Sequence, residues 1–265
     1  MNHYSLRKLL FLAGIPILSF ALLADTVNMP PWRRGRLRKS SQETGGLVFG
    51  KASGNYVKFI NTQDKIATSI IGDVAEDVRK NLLLPVEVCN TTTSEDIFLS
   101  ASRAMNRPYT GVAILILDTK VETPIFVAPE AGWAIVNVNA LLIDNPDQQK
   151  AKNRLKKELW RALCFATGGG FSAVKPCVVQ PTKSLHELDS LTYPLPSPMQ
   201  HNTIIDGAKR RGILPIKINT YLGACQEGWA PAPTNDIQRA IWEKVRSDKE
   251  RGPTNPISIP PPKRK

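Results

Sequence analysis

The sequence predicts an α/β fold: a small, mostly parallel, twisted sheet with packed helices, followed by a loop-rich C-terminal part that ends in a helix. Strand-length apolar segments alternate with segments whose apolar residues recur at helical spacing, from about residue 57 to 138. Glycines at 168–170 are then followed by a proline-rich stretch. The chain has 265 residues, 42% of them hydrophobic, which is enough to bury a substantial core.

The first elements follow from apolar spacing and helix breakers. The apolar residues at 57–60 predict a strand. Apolar residues at helical spacing predict a helix over 62–83, which Pro85 ends. A second strand is predicted over 86–89, and the polar start at 94–96 predicts a second helix.

The middle of the chain completes the predicted sheet. The almost wholly apolar run at 112–118 is typical of a central strand buried on both faces. Two more strands are predicted over 124–127 and 134–138, and a long helix over 148–167. Because helices and strands alternate, the sheet is predicted to be mostly parallel.

The C-terminal part is less regular in its pattern. Residues 202–212 are mixed in character, and Pro215 disfavours a central strand over 214–221. A last helix is predicted over 235–249. Its apolar stripe, which we expect to be buried, consists of Ile237, Ile241, Trp242 and Val245.

The N-terminus predicts export. A short positive segment and an apolar run over 9–24 precede Asp25, which is the pattern of a secretory signal peptide. An uncleaved membrane anchor is the alternative, but the run is short for a bilayer span and contains Pro16. We therefore expect a periplasmic or secreted protein with a cleaved signal peptide at residues 1–24.

The charge balance indicates which partners to expect. The formal net charge is +12 at pH 7, and much of the excess lies in a predicted basic extended arm, 25–50, and a Pro/basic tail, 253–265. Outside the cytoplasm such segments suit an anionic glycan or an envelope surface, and a solvated flexible arm is the alternative. Aromatic residues do not alternate with the basic runs, which disfavours nucleic acid as a partner.

The cysteines leave the covalent structure open. Four are too few for a disulfide-built scaffold of this size, although an oxidising compartment would let them pair. Four cysteines allow three pairings, and the sequence does not choose among Cys89, Cys164, Cys177 and Cys225. No C-x-x-C is present, which argues against a zinc ribbon or a thioredoxin-like site.

The long predicted helix holds the segment that matters most for function. Residues 157–167 are Lys-Glu-Leu-Trp-Arg-Ala-Leu-Cys-Phe-Ala-Thr. This segment resembles the zinc-binding helix of the metzincin metallopeptidases, in particular the archaemetzincins, whose motif is H-E-x-x-H-x-x-G-x-x-H. In that resemblance Glu158 matches the general-base glutamate. Lys157, Arg161 and Thr167 stand at the positions of the three histidine ligands.

Further positions extend the resemblance. Cys164 stands where the motif has glycine. The Cys-Val-Val at 177–179 resembles the archaemetzincin C-x-M segment, with Val179 in place of methionine. Residues 183–189 are similar to the segment after that turn in the family, so that the resemblance covers about residues 55–190.

The replaced ligands argue against zinc chemistry. Histidines at i and i+4 can bind one metal ion together, whereas lysine and arginine are cations at neutral pH and repel zinc. A glutamate without a metal-bound water has nothing obvious to activate. The resemblance therefore implies the scaffold, while these residues argue against a zinc peptidase. We expect no metal and no cofactor.

Three residues are candidates for binding. Lys157 and Arg161, one helical turn apart, suit a carboxylate, sulfate or phosphate, which predicts an anion- or peptide-binding groove. The alternative is a pair between Glu158 and Arg161 on a solvated helix face. Trp229, in the proline-rich loop 225–235, is a candidate for recognising peptide or sugar, and packing of its ring is the alternative.

Other candidate sites rest on fewer residues. Only three histidines are present and His3 lies in the predicted signal peptide, so a three-histidine site is nearly excluded. A metal site of His186, His201 and one carboxylate stays open. For an enzyme without zinc, paired carboxylates are the groups to consider: Asp118, Glu158, Glu187 and Asp189.

The sequence thus predicts an exported pseudoprotease with a metzincin-like α/β core over 51–168 and a loop-rich C-terminal subdomain over 169–252. We expect a non-catalytic binder of extracellular peptide, glycoprotein or anionic polymer. The alternative is an extracellular peptidase, a hydrolase acting on protein or mucin-type glycoprotein through carboxylates rather than zinc, with Glu158 as its catalytic residue.

Overall fold

The computed structural model describes residues 43–91, 96–175 and 177–251. The predicted signal peptide, most of the predicted arm and the predicted C-terminal tail lie outside these residues. Within them, no helix has both the length and the apolar character needed to cross a membrane.

The described elements alternate as the sequence predicts. The strands are β1 (Leu47–Phe49), β2 (Tyr56–Asn61), β3 (Val86–Asn90), β4 (Thr110–Leu117), β5 (Ile125–Ala128), β6 (Trp133–Asn137) and β7 (Ile218–Thr220). The helices are α1 (Thr68–Leu82), α2 (Ile97–Met105), α3 (Val138–Leu141), α4 (Gln148–Ala166), α5 (Leu185–Ser190), α6 (Pro198–Arg210), α7 (Tyr221–Glu227) and α8 (Asp236–Arg251).

Five strands form the main sheet in the order β3-β2-β4-β6-β5. The first four run parallel and β5 pairs antiparallel with β6 at one edge. The apolar run predicted to be central is β4, which lies between β2 and β6 and is buried from its second residue to its last. The predicted fold class, α/β with a mostly parallel sheet and packed helices, is confirmed.

The two faces of the sheet have separate cores. Alternate residues of β4 point to opposite faces, as the period of two in a strand requires. Ile114 and Ile116 belong to the larger core, which includes apolar residues of α1 and α4. Leu115 and Leu117 belong to a smaller core with residues of α2.

Helix α4 begins and ends on recognisable signals. The Asp147 carboxylate accepts a hydrogen bond from the backbone N of Lys150 at 2.8 Å, which caps the first turn. The chain leaves the helix at Gly168, where φ is 88°. The backbone N of Gly169 then donates to the carbonyl of Cys164 at 2.9 Å, which confirms the predicted glycine stop.

The C-terminal part contains more helix than the sequence pattern predicts. Residues 202–212, which are mixed in character, mostly belong to α6. Its start carries a signal that polar composition obscures, because Ser197 is the N-cap and Pro198 occupies the first turn. Ile204 and Ala208 place α6 in the larger core, so this part of the chain packs directly on the sheet domain.

The last residues of the predicted arm, 25–50, form the strand β1 and are not an extended tail. β1 pairs antiparallel with β7, with Val48 opposite Asn219. Val48 is buried with Tyr221 and Cys225, whereas Leu47 and Phe49 are exposed, as expected for an edge strand with one buried face.

The crossing of α6 over the end of α4 gives a first testable prediction. A Cβ at Gly207 would lie 2.0 Å from the carbonyl oxygen of Thr167, so Gly207→Ala must separate the two helices. We expect a loss of about 3 kcal/mol in the free energy of unfolding, measured by denaturant titration.

Gly72 provides the matched control, because it also lies inside a helix and a Cβ there meets nothing within 4 Å. Gly72→Ala should stabilise the protein by about 0.5–1 kcal/mol through helix propensity. Equal effects of the two substitutions would contradict the close approach of α6 to α4.

Candidate functional site

One face of α4 buries four charged side chains. Arg154, Lys157, Glu158 and Arg161 are exposed by only 1%, 6%, 2% and 4%. Their spacing of three and four residues places them together on the helix surface. Buried charges must find partners within the protein, so the contacts of these side chains define what the site can do.

Glu158 and Arg161 form a buried ion pair. Arg161 Nη1 donates to Glu158 Oε1 at 2.9 Å and to Thr182 Oγ1 at 2.6 Å. The guanidinium also lies 5.8 Å from the centre of the Phe171 ring. The pair that the sequence suggested therefore exists, but the helix face that carries it is buried rather than solvated.

Each member of this pair has a buried polar atom that makes no hydrogen bond to the described residues. Glu158 Oε2 and Arg161 Nε are both buried and have no partner among the described residues. Burial raises the pKa of the Glu158 carboxyl, and the Arg161 guanidinium opposes that shift. The site therefore holds a carboxylate that is desolvated and only half satisfied.

Lys157 points its charge at backbone carbonyls. Its Nζ donates to the carbonyl oxygens of Leu188 at 2.8 Å and Asp189 at 3.2 Å. Burial lowers the pKa of Lys157. The ammonium group holds the end of α5 against α4 and is not presented to an open groove.

Arg154 holds the same region through its guanidinium. It donates from Nε and Nη2 to the two carboxylate oxygens of Asp189, at 2.7 and 2.6 Å. It also contacts both oxygens of Asp144 and the carbonyl of Leu141. These contacts hold the pKa of Asp189 and the pKa of Asp144 below the ordinary range of aspartate.

Thr167, which the resemblance places at the third histidine position, lies at the end of α4. The helix runs through Cys164 to Ala166, and Thr167 is its C-cap residue. Thr167 Oγ1 donates to the carbonyl of Leu163 at 2.9 Å and lies 2.8 Å from that of Cys164. This hydroxyl is therefore used within its own helix.

The two cysteines of this region, Cys164 and Cys177, are buried. All four cysteines of the chain are free, so none of the three possible pairings is formed. Cys164 is fully buried beside Gln200 Oε1 at 3.2 Å, and burial raises the pKa of its thiol to about 12. Cys177 accepts from the backbone N of Ser197 at 3.2 Å.

The other candidate ligands are not gathered into a metal site. His201 stacks on Trp160, with ring centres 6.3 Å apart, and its Nε2 has no partner among the described residues. His186 is exposed on α5. In the described part of the chain, no group of three or more His, Cys, Asp or Glu residues could hold a metal ion.

The candidate carboxylates have separate partners. Asp118 pairs with Lys65 at 3.2 Å, and Glu187 accepts from the backbone N of Lys183 at 2.7 Å. Asp189 is held by Arg154, and Glu158 by Arg161. The arrangement shows four bound carboxylates and no carboxyl–carboxyl hydrogen bond within the described residues.

The ring of Trp229 is partly buried against the protein and is not fully exposed to solvent. Its Nε1 donates to Glu227 Oε2 at 2.6 Å, and its partly buried ring packs against the small core of β1 and α7. Trp242, which the helical pattern placed in the buried stripe of α8, is 37% exposed, and Ile237 is 47% exposed. The apolar side of α8 packs mainly on the short helix α7. Trp242 is therefore the more exposed of the two tryptophans in this region.

Comparisons with known proteins give structural similarity alone. No protein-family model and no curated protein matches the chain. The crystal structure of archaemetzincin from Methanopyrus kandleri is similar, with 20% identity, a TM-score of 0.49, and coverage of 59% of this chain and 97% of that one. A zinc-dependent peptidase from Methanocorpusculum labreanum is similar with 13% identity, a TM-score of 0.44, and coverage of 56% and 99%. At these values neither similarity indicates an activity for this chain.

The buried pair gives a prediction about coupling. Arg161→Met should lower the free energy of unfolding by about 3–5 kcal/mol, because Glu158 stays buried without its cation. The double variant Glu158→Leu with Arg161→Met should lose less than the sum of the two single losses. Denaturant unfolding at pH 7 measures this double-mutant cycle.

The exposed pair of Asp206 and Lys209 is the matched control, because it has the same spacing and both side chains are more than half exposed. Lys209→Met should change stability by no more than about 0.5 kcal/mol. Additive single losses would count against the pair.

The stability lost in Arg161→Met should also depend on pH. Burial raises the pKa of Glu158 in the folded protein, so protonation of this carboxyl favours folding. The loss in the free energy of unfolding should therefore shrink as the pH falls.

Arg154 gives a prediction with the opposite pH dependence. The folded pKa values of Asp144 and Asp189 lie below their unfolded values, so their contribution to stability is complete above about pH 4 and is lost on acidification. The stability gap between the native protein and Arg154→Leu should be widest at pH 6–7 and should narrow below about pH 4. Thermal unfolding across this range would measure it, and a gap of equal size at pH 3 and pH 7 would refute the assignment.

Proposed function

We propose that this chain is an exported, non-catalytic binding protein on a metzincin-like scaffold, in which internal ion pairs occupy the place of the zinc centre. One observation carries the proposal. Lys157, Glu158 and Arg161, which stand at the first ligand, the general base and the second ligand of the motif, are all buried and bonded to groups of the same chain.

The residues at the motif positions do not fit zinc. A structural or catalytic zinc takes neutral imidazole, thiolate or carboxylate ligands in a compact tetrahedral set. Two of the three ligand positions hold a lysine and an arginine, and the third holds a threonine whose hydroxyl bonds to its own helix. A divalent cation beside the ammonium of Lys157 and the guanidinium of Arg161 would be repelled.

The proposal also follows from the inaccessibility of Glu158. A general base must come within hydrogen-bond reach of the proton that it removes, and Glu158 is 2% exposed. One of its oxygens is held by Arg161. Phe171 and Thr182, which follow α4, both contact Arg161 and so help to cover the pair.

The second candidate function is a peptidase that acts through carboxylates. The observation that favours it is the raised pKa of Glu158 together with its unpartnered Oε2, since perturbed carboxyls often mark active sites. Burial alone explains both features, however, and the remaining candidate carboxylates are bound to separate partners. We therefore place binding before catalysis.

The positive net charge and the proposed export support a binding role. Without Arg7 and Lys8 of the predicted signal peptide, the formal net charge falls from +12 to about +10, which still attracts anionic partners through long-range electrostatics. Proposed partners are an extracellular peptide or glycoprotein, an anionic glycan or the envelope surface. Because Lys157 and Arg161 are buried and bonded to groups of the same chain, we propose that these partners contact other parts of the protein surface.

Elemental analysis of the purified protein, combined with digestion assays, tests the proposal. Casein and a mucin-type glycoprotein are incubated with the protein, with and without a chelator. We expect less than one metal ion per chain and no cleavage. Stoichiometric zinc, or cleavage that the chelator abolishes, would overturn the proposed loss of the zinc centre.

Glu158→Gln separates the two candidate functions. If chelator-resistant cleavage were seen, a peptidase acting through Glu158 would lose it in this variant, and the binding proposal would fail. Glu187→Gln is the matched control, because that carboxylate is exposed on α5. A contaminating protease would be unaffected by either substitution.

A further inference from the structure

A groove between α7 and α8 is the feature that the proposed function leaves unused. It is a partly open depression with a volume of about 440 Å³. One wall is the end of α7 and the start of the proline-rich loop 225–235, and the other is the second half of α8. The sequence makes this loop a candidate for recognition, and the structure shows it lining a concave surface.

Both walls of the groove present apolar side chains, and the loop wall is held by hydrogen bonds. Ala230 lines the loop side, and Trp242 and Val245 line the helix side. Tyr221 Oη donates to the carbonyl of Pro231 at 3.1 Å, which fixes the loop to α7. The backbone N atoms of residues 229 and 230 donate to the carbonyl of Ala224. These hydrogen bonds hold the loop in place on the side of the groove opposite Trp242.

The rim carries one cation that no carboxylate of the described residues neutralises. Arg246 pairs with Glu250 at 2.9 Å, so their charges offset each other. Lys249 Nζ donates to the carbonyl of Cys225 at 3.2 Å, and no carboxylate in the described part of the chain lies within ion-pair distance of it. An ammonium group has three donors, which leaves two for an incoming anion.

We propose that this groove binds a small amphiphilic carboxylate of the acyl-chain type. The acyl chain would lie on Ala230, Trp242 and Val245, and the carboxylate would bind Lys249 at the rim. The apolar walls and the single uncompensated charge complement both parts of such a ligand. This inference is independent of the proposed function, because it uses no residue of α4.

Displacement of a fluorescent probe tests the inference on the full-length protein. The probe is 8-anilinonaphthalene-1-sulfonate, which also combines an apolar body with one negative charge. Decanoate, used below its micellar concentration, is expected to displace the probe, and decanol at the same concentration is expected to displace it poorly. Equal displacement by both would show a purely apolar site and overturn the proposed role of Lys249.

Variants locate the site. Lys249→Gln should weaken decanoate binding about fivefold, as expected for an exposed ion pair. Lys244→Gln, which removes an exposed lysine of the same helix that does not line the groove, should leave binding unchanged. Trp242→Ala should weaken both the probe and decanoate by removing the main apolar contact.

Circular dichroism and the thermal midpoint show whether each variant is folded, and all three substituted side chains are exposed. Probe binding that survives Trp242→Ala, or equal effects of Lys249→Gln and Lys244→Gln, would place the site elsewhere and overturn the inference. Failure of decanoate to displace the probe would do the same. None of these outcomes bears on peptidase activity, which is measured separately.

Discussion

The structure depends on the burial of a charged helix face. A helix in an α/β domain ordinarily turns its charges to water, yet α4 places an apolar side in the larger core and buries its charged side under the segment after it. The energy of this arrangement is asymmetric. A buried ion pair contributes little compared with apolar packing, but the loss of one partner leaves an uncompensated charge that costs about 3–5 kcal/mol. The contacts of Arg154, Lys157 and Arg161 therefore specify where the chain after α4 must lie.

The end of α4 is also engaged within the protein. The helix continues through Cys164 to Ala166, and Thr167 is its C-cap residue, whose hydroxyl bonds to its own helix. Gly207 lets α6 approach the carbonyl of Thr167 so closely that no larger residue fits without movement. Lys157, Arg161 and Thr167 are thus all engaged within the protein: the two cations bond beneath the next segment of the chain, and the helix end is covered by α6.

The sequence predicted the sheet domain well and the site only in part. Apolar periodicity identifies β2 to β6 and α4 because each buries a regular face, and the glycine stop of α4 needs no tertiary information. α6 was missed because its polar residues dilute the pattern, although Ser197 and Pro198 mark its start. The partners of Lys157 are backbone carbonyls from a segment 31 residues away, and no local pattern encodes such a contact. The exposure of Trp242 likewise depends on the shortness of α7, which is a property of the neighbouring helix.

These observations separate two kinds of surface in the molecule. On α4, every cation at a motif position has a partner inside the protein, and binding an external anion there would require breaking Arg161 from Glu158 or Lys157 from the end of α5. At the groove between α7 and α8, Lys249 bonds to one carbonyl among the described residues, and its two other donors can meet an anion at no comparable cost. Binding of an anion at the groove therefore requires no buried contact to be broken first, whereas binding at α4 does. This difference favours the groove over the charged face of α4 as the place where the protein meets a ligand.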